Sequence, residues 1–318
     1  MKFFKNLTLS LFSMLLLVVS ACAAAKEEFS LCLASAGSPA EVVKVEKRLG
    51  RFDCLKRYRN LAALSPAEIP DAYSKDVGRF LDAGYEVFLV VTLPGMTLAD
   101  INAGKADERV VALAEAIAAD GREVTLVLLH EANGGTYSWS VRDGATPADF
   151  VSAWRRLVGL IREVAPNARF DLNYNRVSAY RKGNDTPESR VADFAAYFPG
   201  GDWVDSVSIS GFNRCGTSRW HRRWLSFGEV IDLAYRKLSS FVPKEIPIRI
   251  AETGTTSLCG GDKARWYINM GFDSGEKRWP RLAGLTLFLE KISAGKASNE
   301  RVIHWAPETE YQWRALAA

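Results

Sequence analysis

The sequence predicts a single (β/α)8 TIM barrel, in which eight parallel strands are surrounded by helices. Short apolar runs rich in β-branched residues recur eight times, and amphipathic segments separate most of them. Strands that alternate with helices pair in parallel, and eight such units favour closure into a barrel. Residues 22–318, which follow a short leader, have the usual length for one such domain.

The predicted elements follow one another regularly along the chain. Residues 109–120 and 147–164 repeat apolar side chains at three- and four-residue spacing, which indicates surface helices. The eight predicted strands cover residues 29–34, 52–55, 86–92, 124–131, 169–174, 204–210, 247–252 and 282–289.

An open, doubly wound sheet is the alternative arrangement of alternating strands and helices. That fold usually carries a Gly-x-Gly-x-x-Gly turn after its first strand. Here the first predicted strand ends in Ala34-Ser35-Ala36-Gly37, which lacks this pattern. The sequence therefore favours the closed barrel.

Residues 1–21 have the features of an export signal. Two lysines precede an apolar run that is short for a membrane span, and small residues then lead to Cys22. This order is typical of bacterial lipoproteins, in which cleavage leaves a lipid-bearing cysteine. We therefore predict a mature domain of residues 22–318 that is periplasmic or anchored to the outer membrane. Cleavage a few residues later with simple secretion, or retention as a membrane helix, are the alternatives.

The charge balance is nearly neutral. The chain carries 41 basic and 37 acidic residues, and removal of the leader takes away two lysines and no acids, so the net charge falls from +4 to +2. Such a balance predicts no polyanionic partner and no nucleic acid. The three histidines have no metal-ligand spacing, so we predict neither a metal nor a cofactor. We expect a monomer that meets the membrane only through its lipid.

Four cysteines follow the leader, an even number in an exported chain, so two disulfides are possible. Cys32 and Cys54 lie on the first two predicted strands, which are neighbours in a barrel. Cys215 and Cys259 follow strands six and seven, whose loops are also neighbours. The pairs Cys32–Cys54 and Cys215–Cys259 fit this arrangement, although four free buried thiols are the alternative.

Two glutamates end predicted strands, Glu131 on the fourth and Glu252 on the seventh. Barrel enzymes collect their catalytic groups at the carboxyl ends of strands. A charge that ends a buried strand needs water, a partner or a substrate, so simple solvent exposure or an arginine partner is the alternative explanation. Glycosidic bonds are cleaved by such a pair, with one carboxyl as proton donor and one as ionised nucleophile. His130, Tyr137 and Trp139 enclose Glu131, a setting that favours the general acid.

The most specific stretch, HEANGGTYSW at residues 130–139, is similar to the acid/base segment of glycoside hydrolase family 26. Residues 203–213, WVDSVSISGFN, resemble that family's strand six. Residues 251–254, AETG, resemble its nucleophile strand, and the likeness spans nearly all of the mature chain. The resemblance implies a retaining mechanism with Glu131 as acid/base and Glu252 as nucleophile, and carboxyls about 5 to 5.5 Å apart.

One substitution departs from the family pattern next to the nucleophile. Phe212 stands where the family usually has a tyrosine that hydrogen-bonds the nucleophile, and a phenyl ring cannot donate that bond. The third strand also lacks the histidine and aromatic residues associated with mannan recognition. The sugar therefore stays open among β-linked glucan, mannan, xylan and exopolysaccharide.

Aromatic and amide side chains near strand ends are candidates for sugar binding, through stacking and hydrogen bonds to hydroxyl groups. Packing between helix and barrel, or helix capping by asparagine, is the alternative role for each. The candidate substrate-binding residues are His130, Asn133, Tyr137, Trp139, Asn175, Phe212, Asn213 and Trp220.

The sequence thus predicts a retaining endo-β-glycanase that cleaves a β-linked polysaccharide or oligosaccharide with two glutamates. The alternative, motivated by Phe212, is a barrel lipoprotein that binds glycan without cleaving it.

Overall fold

The computed structural model describes residues 29–34, 37–179, 186–274, 278–293 and 302–317. The predicted export signal and the lipidation site Cys22 lie outside the described residues. Within these ranges, no helix combines the length and apolarity that a membrane span requires.

Eight parallel strands form a closed barrel, in which β1 pairs with both β2 and β8. The predicted fold class is therefore confirmed. The strands are β1 (Ser30–Ala34), β2 (Cys54–Asn60), β3 (Glu86–Thr92), β4 (Val124–Leu128), β5 (Ala168–Asn175), β6 (Ser206–Asn213), β7 (Ile248–Thr255) and β8 (Leu282–Phe288). A separate antiparallel pair, β9 (Lys291–Ser293) and β10 (Val302–His304), follows the barrel.

Helices cover the outside of the barrel. They are α1 (Pro39–Leu49), α2 (Ile69–Tyr73), α3 (Arg79–Asp82), α4 (Leu98–Asn102), α5 (Asp107–Asp120), α6 (Pro147–Val164), α7 (Phe227–Ser239), α8 (Lys263–Asp273) and α9 (Glu310–Ala317). The helix predicted at residues 147–164 has the same bounds as α6. The helix predicted at residues 109–120 corresponds to α5, which begins two residues earlier, at Asp107.

Helix α6 illustrates why these segments fold as predicted. Thr146 and Asp149 form a capping box, in which each side chain accepts a hydrogen bond from the other residue's backbone N–H. Proline at the first helical position has a backbone angle that suits a helix start. The buried residues Phe150, Trp154 and Ile161 recur on one face, which packs against the barrel.

Every strand except β3 differs from its predicted bounds by one to five residues, and the ends of β2, β4 and β7 are three examples. β2 runs five residues beyond the predicted end at Leu55, because Lys56 and Arg57 are buried despite their charge. β4 stops at Leu128 rather than at Glu131, because the chain turns into a left-handed conformation at Leu129. β7 continues three residues past Glu252, so this glutamate lies within the strand.

Polar side chains fill part of the barrel interior beneath the upper rim. Asp171 on β5 accepts hydrogen bonds from the hydroxyl groups of Ser206 (2.7 Å) and Ser208 (2.5 Å) on β6. Asn173 donates from its amide to Ser208 (3.2 Å) and Ser210 (3.1 Å). These buried groups satisfy one another, which fixes β5 against β6.

Both disulfides that the sequence allowed are present. Cys32–Cys54 joins β1 to β2 within the barrel. Cys215–Cys259 joins the loop after β6 to the loop after β7. The second bond therefore braces the edge of the barrel to which the carboxyl ends of the strands point.

Candidate active site

Glu131 and Glu252 line one cavity of about 220 Å³ at the carboxyl ends of the strands. We call this cavity the catalytic cleft. Its lining brings together residues from β2, β6, β7 and β8, from the segments that follow β4 and β6, and from the segment after β10. They are Tyr58, His130, Glu131, Tyr137, Phe212, Arg214, Glu252, Phe288 and Trp305.

Glu131 stands on a strained turn immediately after β4. Its φ is 53° and that of Leu129 is 45°, in the left-handed region that non-glycine residues rarely adopt. Its backbone N–H donates to the carbonyl of Asn173 (3.1 Å), and the amide of Asn175 donates to Oε2 (2.8 Å). The turn and these bonds to β5 hold the carboxylate toward the cleft. Strain of this kind is frequent at functional sites.

Glu252 lies at an irregularity within β7. Pairing with β6 passes from Ile250 opposite Ile209 to Glu252 opposite Ser210, so Ala251 is the extra residue of a bulge. Bulges re-aim side chains and occur often beside active sites. Here the bulge gives Glu252 access to the cleft.

Lys56 is the cationic partner of Glu252. Its Nζ lies 3.2 Å from Oε1 of the carboxylate, and both side chains are mostly buried. Burial raises the pKa of Glu252, whereas the charge and hydrogen bond of Lys56 oppose that rise. Lys56 thus favours the ionised carboxylate that a nucleophile requires. The sequence pattern did not predict this lysine, because a buried lysine within a strand is rare.

His130, Tyr137 and Trp139 form an aromatic wall beside Glu131. The Tyr137 ring stacks on Trp139 with centroids 4.7 Å apart, and His130 lies 4.3 Å from Tyr137. Burial and nearby Lys56 lower the pKa of His130 to about 3, so its imidazole is neutral at physiological pH. Among the described residues, its buried Nδ1 has no hydrogen-bond partner.

Trp139 corrects one predicted sugar contact. Only 1% of its surface is exposed, and its indole N–H donates to the carbonyl of His130 (3.0 Å). The cleft is lined by Tyr137, not by Trp139. Trp139 therefore supports the ring of Tyr137 from behind instead of offering a platform itself.

Two predicted asparagine contacts are also corrected. Asn133 is buried and exchanges two hydrogen bonds with the backbone of Asn175, at 2.8 and 2.9 Å. Asn213 is fully buried, and its amide donates to the hydroxyl of Thr255 (2.9 Å) while accepting from the backbone of Leu225 (3.2 Å). Their hydrogen-bonding groups are used in holding the loops. Asn175 alone among the three contacts a candidate catalytic carboxylate.

Phe212, Phe288 and Trp305 form the opposite wall. Phe212 lies 4.8 Å from Trp305 and 5.6 Å from Phe288, between ring centroids. Trp305 is buried and also lines the cleft. Tyr58 and Arg214 also line the cleft and were not predicted.

Trp220 is exposed over 77% of its surface and lines neither the catalytic cleft nor the cavity beside it. Its predicted contact with substrate stays a prediction. The described residues also bring no three histidine, cysteine, aspartate or glutamate side chains together as a metal site.

A larger cavity of about 480 Å³ lies at the opposite end of the barrel. It is lined by residues at the starts of strands, including Ser30, Glu86 and Arg249. That face of a barrel serves stability rather than catalysis. The glutamate pair therefore marks the candidate site, although its cavity is smaller.

Comparison with known proteins supports the barrel fold and relates the chain to glycoside hydrolases. No protein-family model matches the chain. Over 171 residues, 52% of this chain, it is 35% identical to endoglucanase H of Acetivibrio thermocellus, but it spans only 18% of that protein.

Solved barrels of glycoside hydrolase family 26 superpose over most of the chain. The catalytic domain of the endo-β-1,4-mannanase from Bacillus sp. JAMB-750 has a TM-score of 0.63 at 12% identity, covering 91% of this chain and 85% of that one. A β-mannanase from Bacteroides ovatus has a TM-score of 0.57 at 12% identity, and the match covers 92% of this chain and 88% of that one. These comparisons confirm the resemblance to family 26. At such identity the structural likeness to family 26 establishes the fold alone.

Proposed function

We propose that the protein is a retaining endo-β-glycanase that cleaves a β-linked polysaccharide, with Glu131 as acid/base and Glu252 as nucleophile. The observation that carries this proposal is the presence of both carboxylates in one cleft at the carboxyl ends of the strands. The resemblance to family 26 supports the same class of reaction.

In the first step, a carboxylate oxygen of Glu252 attacks the anomeric carbon, and the bond from that carbon to the leaving oxygen breaks. Glu131 transfers its proton to the leaving oxygen. In the second step, Glu131 takes a proton from water, which attacks the anomeric carbon and releases Glu252 as carboxylate. The product keeps the configuration of the substrate.

The surroundings of the two glutamates support this division of roles. Lys56 lies against Glu252 and favours its ionised form. The amide of Asn175 orients Oε2 of Glu131 without bringing a permanent cation to that carboxyl.

Cleavage within a chain, rather than at its end, fits the shape of the surface. A second cavity of about 240 Å³ adjoins the catalytic cleft and shares Phe212 and Arg214 with it. Sugar units on one side of the cleaved bond therefore have room to bind. The names of the relatives, an endoglucanase and endo-mannanases, point the same way.

We place this activity outside the cytoplasm. Two disulfides are typical of an oxidising compartment, which agrees with the export signal predicted for residues 1–21. We also propose that the mature domain comprises residues 22–318, that Cys22 carries a lipid anchor, and that the protein is a monomer.

The test is release of reducing ends across a panel of β-glucan, mannan, xylan and exopolysaccharide. We expect activity in the wild type, none in Glu252→Ala, and a large loss in Glu131→Ala. Exposed Glu115 on α5 provides the matched control, and Glu115→Ala should retain full activity. Full activity in either cleft variant would remove that glutamate from the mechanism. Binding of a polysaccharide without cleavage would favour the glycan-binding alternative.

A further inference from the structure

The cavity beside the catalytic cleft is lined by two arginines and a histidine. We call it the arginine pocket and define it by Asn175, Arg176, Phe212, Arg214 and His221, with Gly134 and Thr136 at one side. Arg176 follows β5 and is half-buried, whereas Arg214 follows β6 and is exposed. The pocket therefore belongs to the same rim of the barrel as the two glutamates.

Among the described residues, none that lines this pocket carries a carboxylate. Within the described ranges, neither Arg176 nor Arg214 forms an ion pair, and their side chains make no hydrogen bond. The Arg214 guanidinium lies 5.6 Å from the centroid of the Phe212 ring. Burial and the like charges of Arg190 and Arg214 lower the pKa of Arg176 to about 10. The Arg176 guanidinium therefore still carries its charge at physiological pH.

His221 adds a polar group but no counter-charge. Burial and the two arginines lower its pKa, so the imidazole is neutral at physiological pH. Its Nδ1 lies 3.1 Å from the hydroxyl of Thr217 and 2.9 Å from that of Ser218. The Cys215–Cys259 disulfide anchors the start of this loop. The pocket is thus a cationic surface held by a braced loop.

Two residues connect the arginine pocket to the chemistry. Asn175 lines the pocket and also donates to Oε2 of Glu131 (2.8 Å). Arg214 lines both the pocket and the catalytic cleft. A sugar unit in the pocket would therefore lie next to the unit at the cleaved bond.

We propose that the arginine pocket is a subsite for a sugar unit that carries an oxyanion, so that the substrate is an acidic β-glycan. The anion is the carboxylate of a uronic acid or an acidic substituent such as a sulfate or phosphate ester. This inference rests on the proposed function and names its substrate class. Guanidinium groups bind such oxyanions through charge-assisted, often bidentate hydrogen bonds.

The same pocket discriminates against neutral sugars. A neutral unit would displace water from Arg176 without giving its guanidinium an acceptor of opposite charge, which disfavours binding. The net charge of the whole chain could not reveal this, because the two arginines are a local feature of a nearly neutral protein.

Binding of small probes tests the pocket without relying on hydrolysis. We would measure the binding of methyl β-D-glucuronide and of methyl β-D-glucoside by isothermal titration calorimetry. Inorganic sulfate and inorganic phosphate are titrated in separate experiments. The wild type should bind the glucuronide or one of the inorganic anions. It should bind the glucoside at least about tenfold more weakly than that anion. Arg176→Gln should weaken anion binding about tenfold or more, corresponding to the loss of one charge-assisted contact. Arg176→Lys, which keeps the positive charge, should retain more of the anion binding than Arg176→Gln does.

Arg236→Gln, on the exposed face of α7, is the matched control and should bind like the wild type. Preference for the glucuronide assigns the anion to a uronic acid, whereas preference for sulfate or phosphate assigns it to an ester. Equal binding of glucoside and glucuronide, no binding of any anion, or unchanged anion binding in Arg176→Gln would overturn the proposal. Absence of hydrolysis across a panel extended with β-glycans that contain uronic acids or sulfate esters would instead overturn the proposed function, and the two failures are thus distinguishable.

Discussion

Lys56 Nζ lies 3.2 Å from Oε1 of Glu252 and donates a hydrogen bond to the carbonyl of Ala251, also at 3.2 Å. The lysine stands on β2 and reaches β7 through the barrel interior. Phe212, at the position where family 26 usually has a tyrosine, cannot orient the nucleophile by a hydrogen bond. Lys56 provides a charged contact to the same carboxylate, so the loss of the tyrosine hydroxyl does not leave Glu252 unsupported.

Lys56→Met removes the cation while keeping a side chain of similar length. The pKa of Glu252 is already raised by burial, and loss of Lys56 should raise it further. Because the nucleophile must be ionised, activity is lost as the pH falls through this pKa. The acidic limb of the kcat/KM profile should therefore move to higher pH by about one unit, with roughly tenfold lower activity on that limb.

Lys75→Met is the control for this change, because Lys75 is exposed and its partner Asp71 lies on the surface. Its pH profile should match that of the wild type. An acidic limb that stays in place in a folded Lys56→Met protein would show that the lysine does not tune the nucleophile.

Asn175→Ala removes the donor to Oε2 of Glu131. A hydrogen bond to a charged group contributes about 1.5–3 kcal/mol, so we expect kcat/KM to fall roughly 10- to 100-fold. The loss should be largest for aryl glycosides with poor leaving groups, which depend on the proton from Glu131. An equal loss for good and poor leaving groups would point to a structural role for Asn175.

Trp139→Ala should reduce the free energy of unfolding by about 3–5 kcal/mol, because it leaves a cavity behind Tyr137 and removes the bond to the His130 carbonyl. Trp220→Ala should change it by no more than about 0.5 kcal/mol, since that indole is 77% exposed. Urea unfolding of both variants checks this pair. Similar stability of the two variants would contradict the burial that separates them.

Removing the Cys215–Cys259 disulfide in a double alanine variant should lower stability by roughly 2–5 kcal/mol. It should also raise KM, because this bond holds the loops after β6 and β7 beside the cleft. The Cys32–Cys54 double variant provides the comparison, since that bond joins β1 and β2 below the rim. We expect it to lose stability with little change in KM. Equal KM changes in the two variants would contradict a bracing role specific to Cys215–Cys259.

The fold was predictable because its signals are local. Helix α6 carries its own capping box and periodic apolar face, and β3 is a continuous apolar run with the predicted bounds. The ends of β4 and β7 were less predictable. They depend on backbone turns and a bulge that arise where the chain closes into a barrel.

The site could be predicted only in part for a similar reason. Glu131 and Glu252 end apolar runs, a pattern visible in the sequence. The neighbours Lys56 and Trp305 are separated from them by many residues and meet them only after barrel closure. Trp139 was misassigned because proximity in sequence to Glu131 does not determine which way its indole points.

The most direct measurement of the proposed mechanism is the configuration of the glycosyl azide formed when azide rescues each cleft variant on an activated aryl β-glycoside. In Glu131→Ala, azide should attack the glycosyl ester on Glu252 and give the β-azide. In Glu252→Ala, it should replace the missing carboxylate and give the α-azide. Reversed configurations, or the same azide from both variants, would contradict the assignment of Glu252 as nucleophile and Glu131 as acid/base.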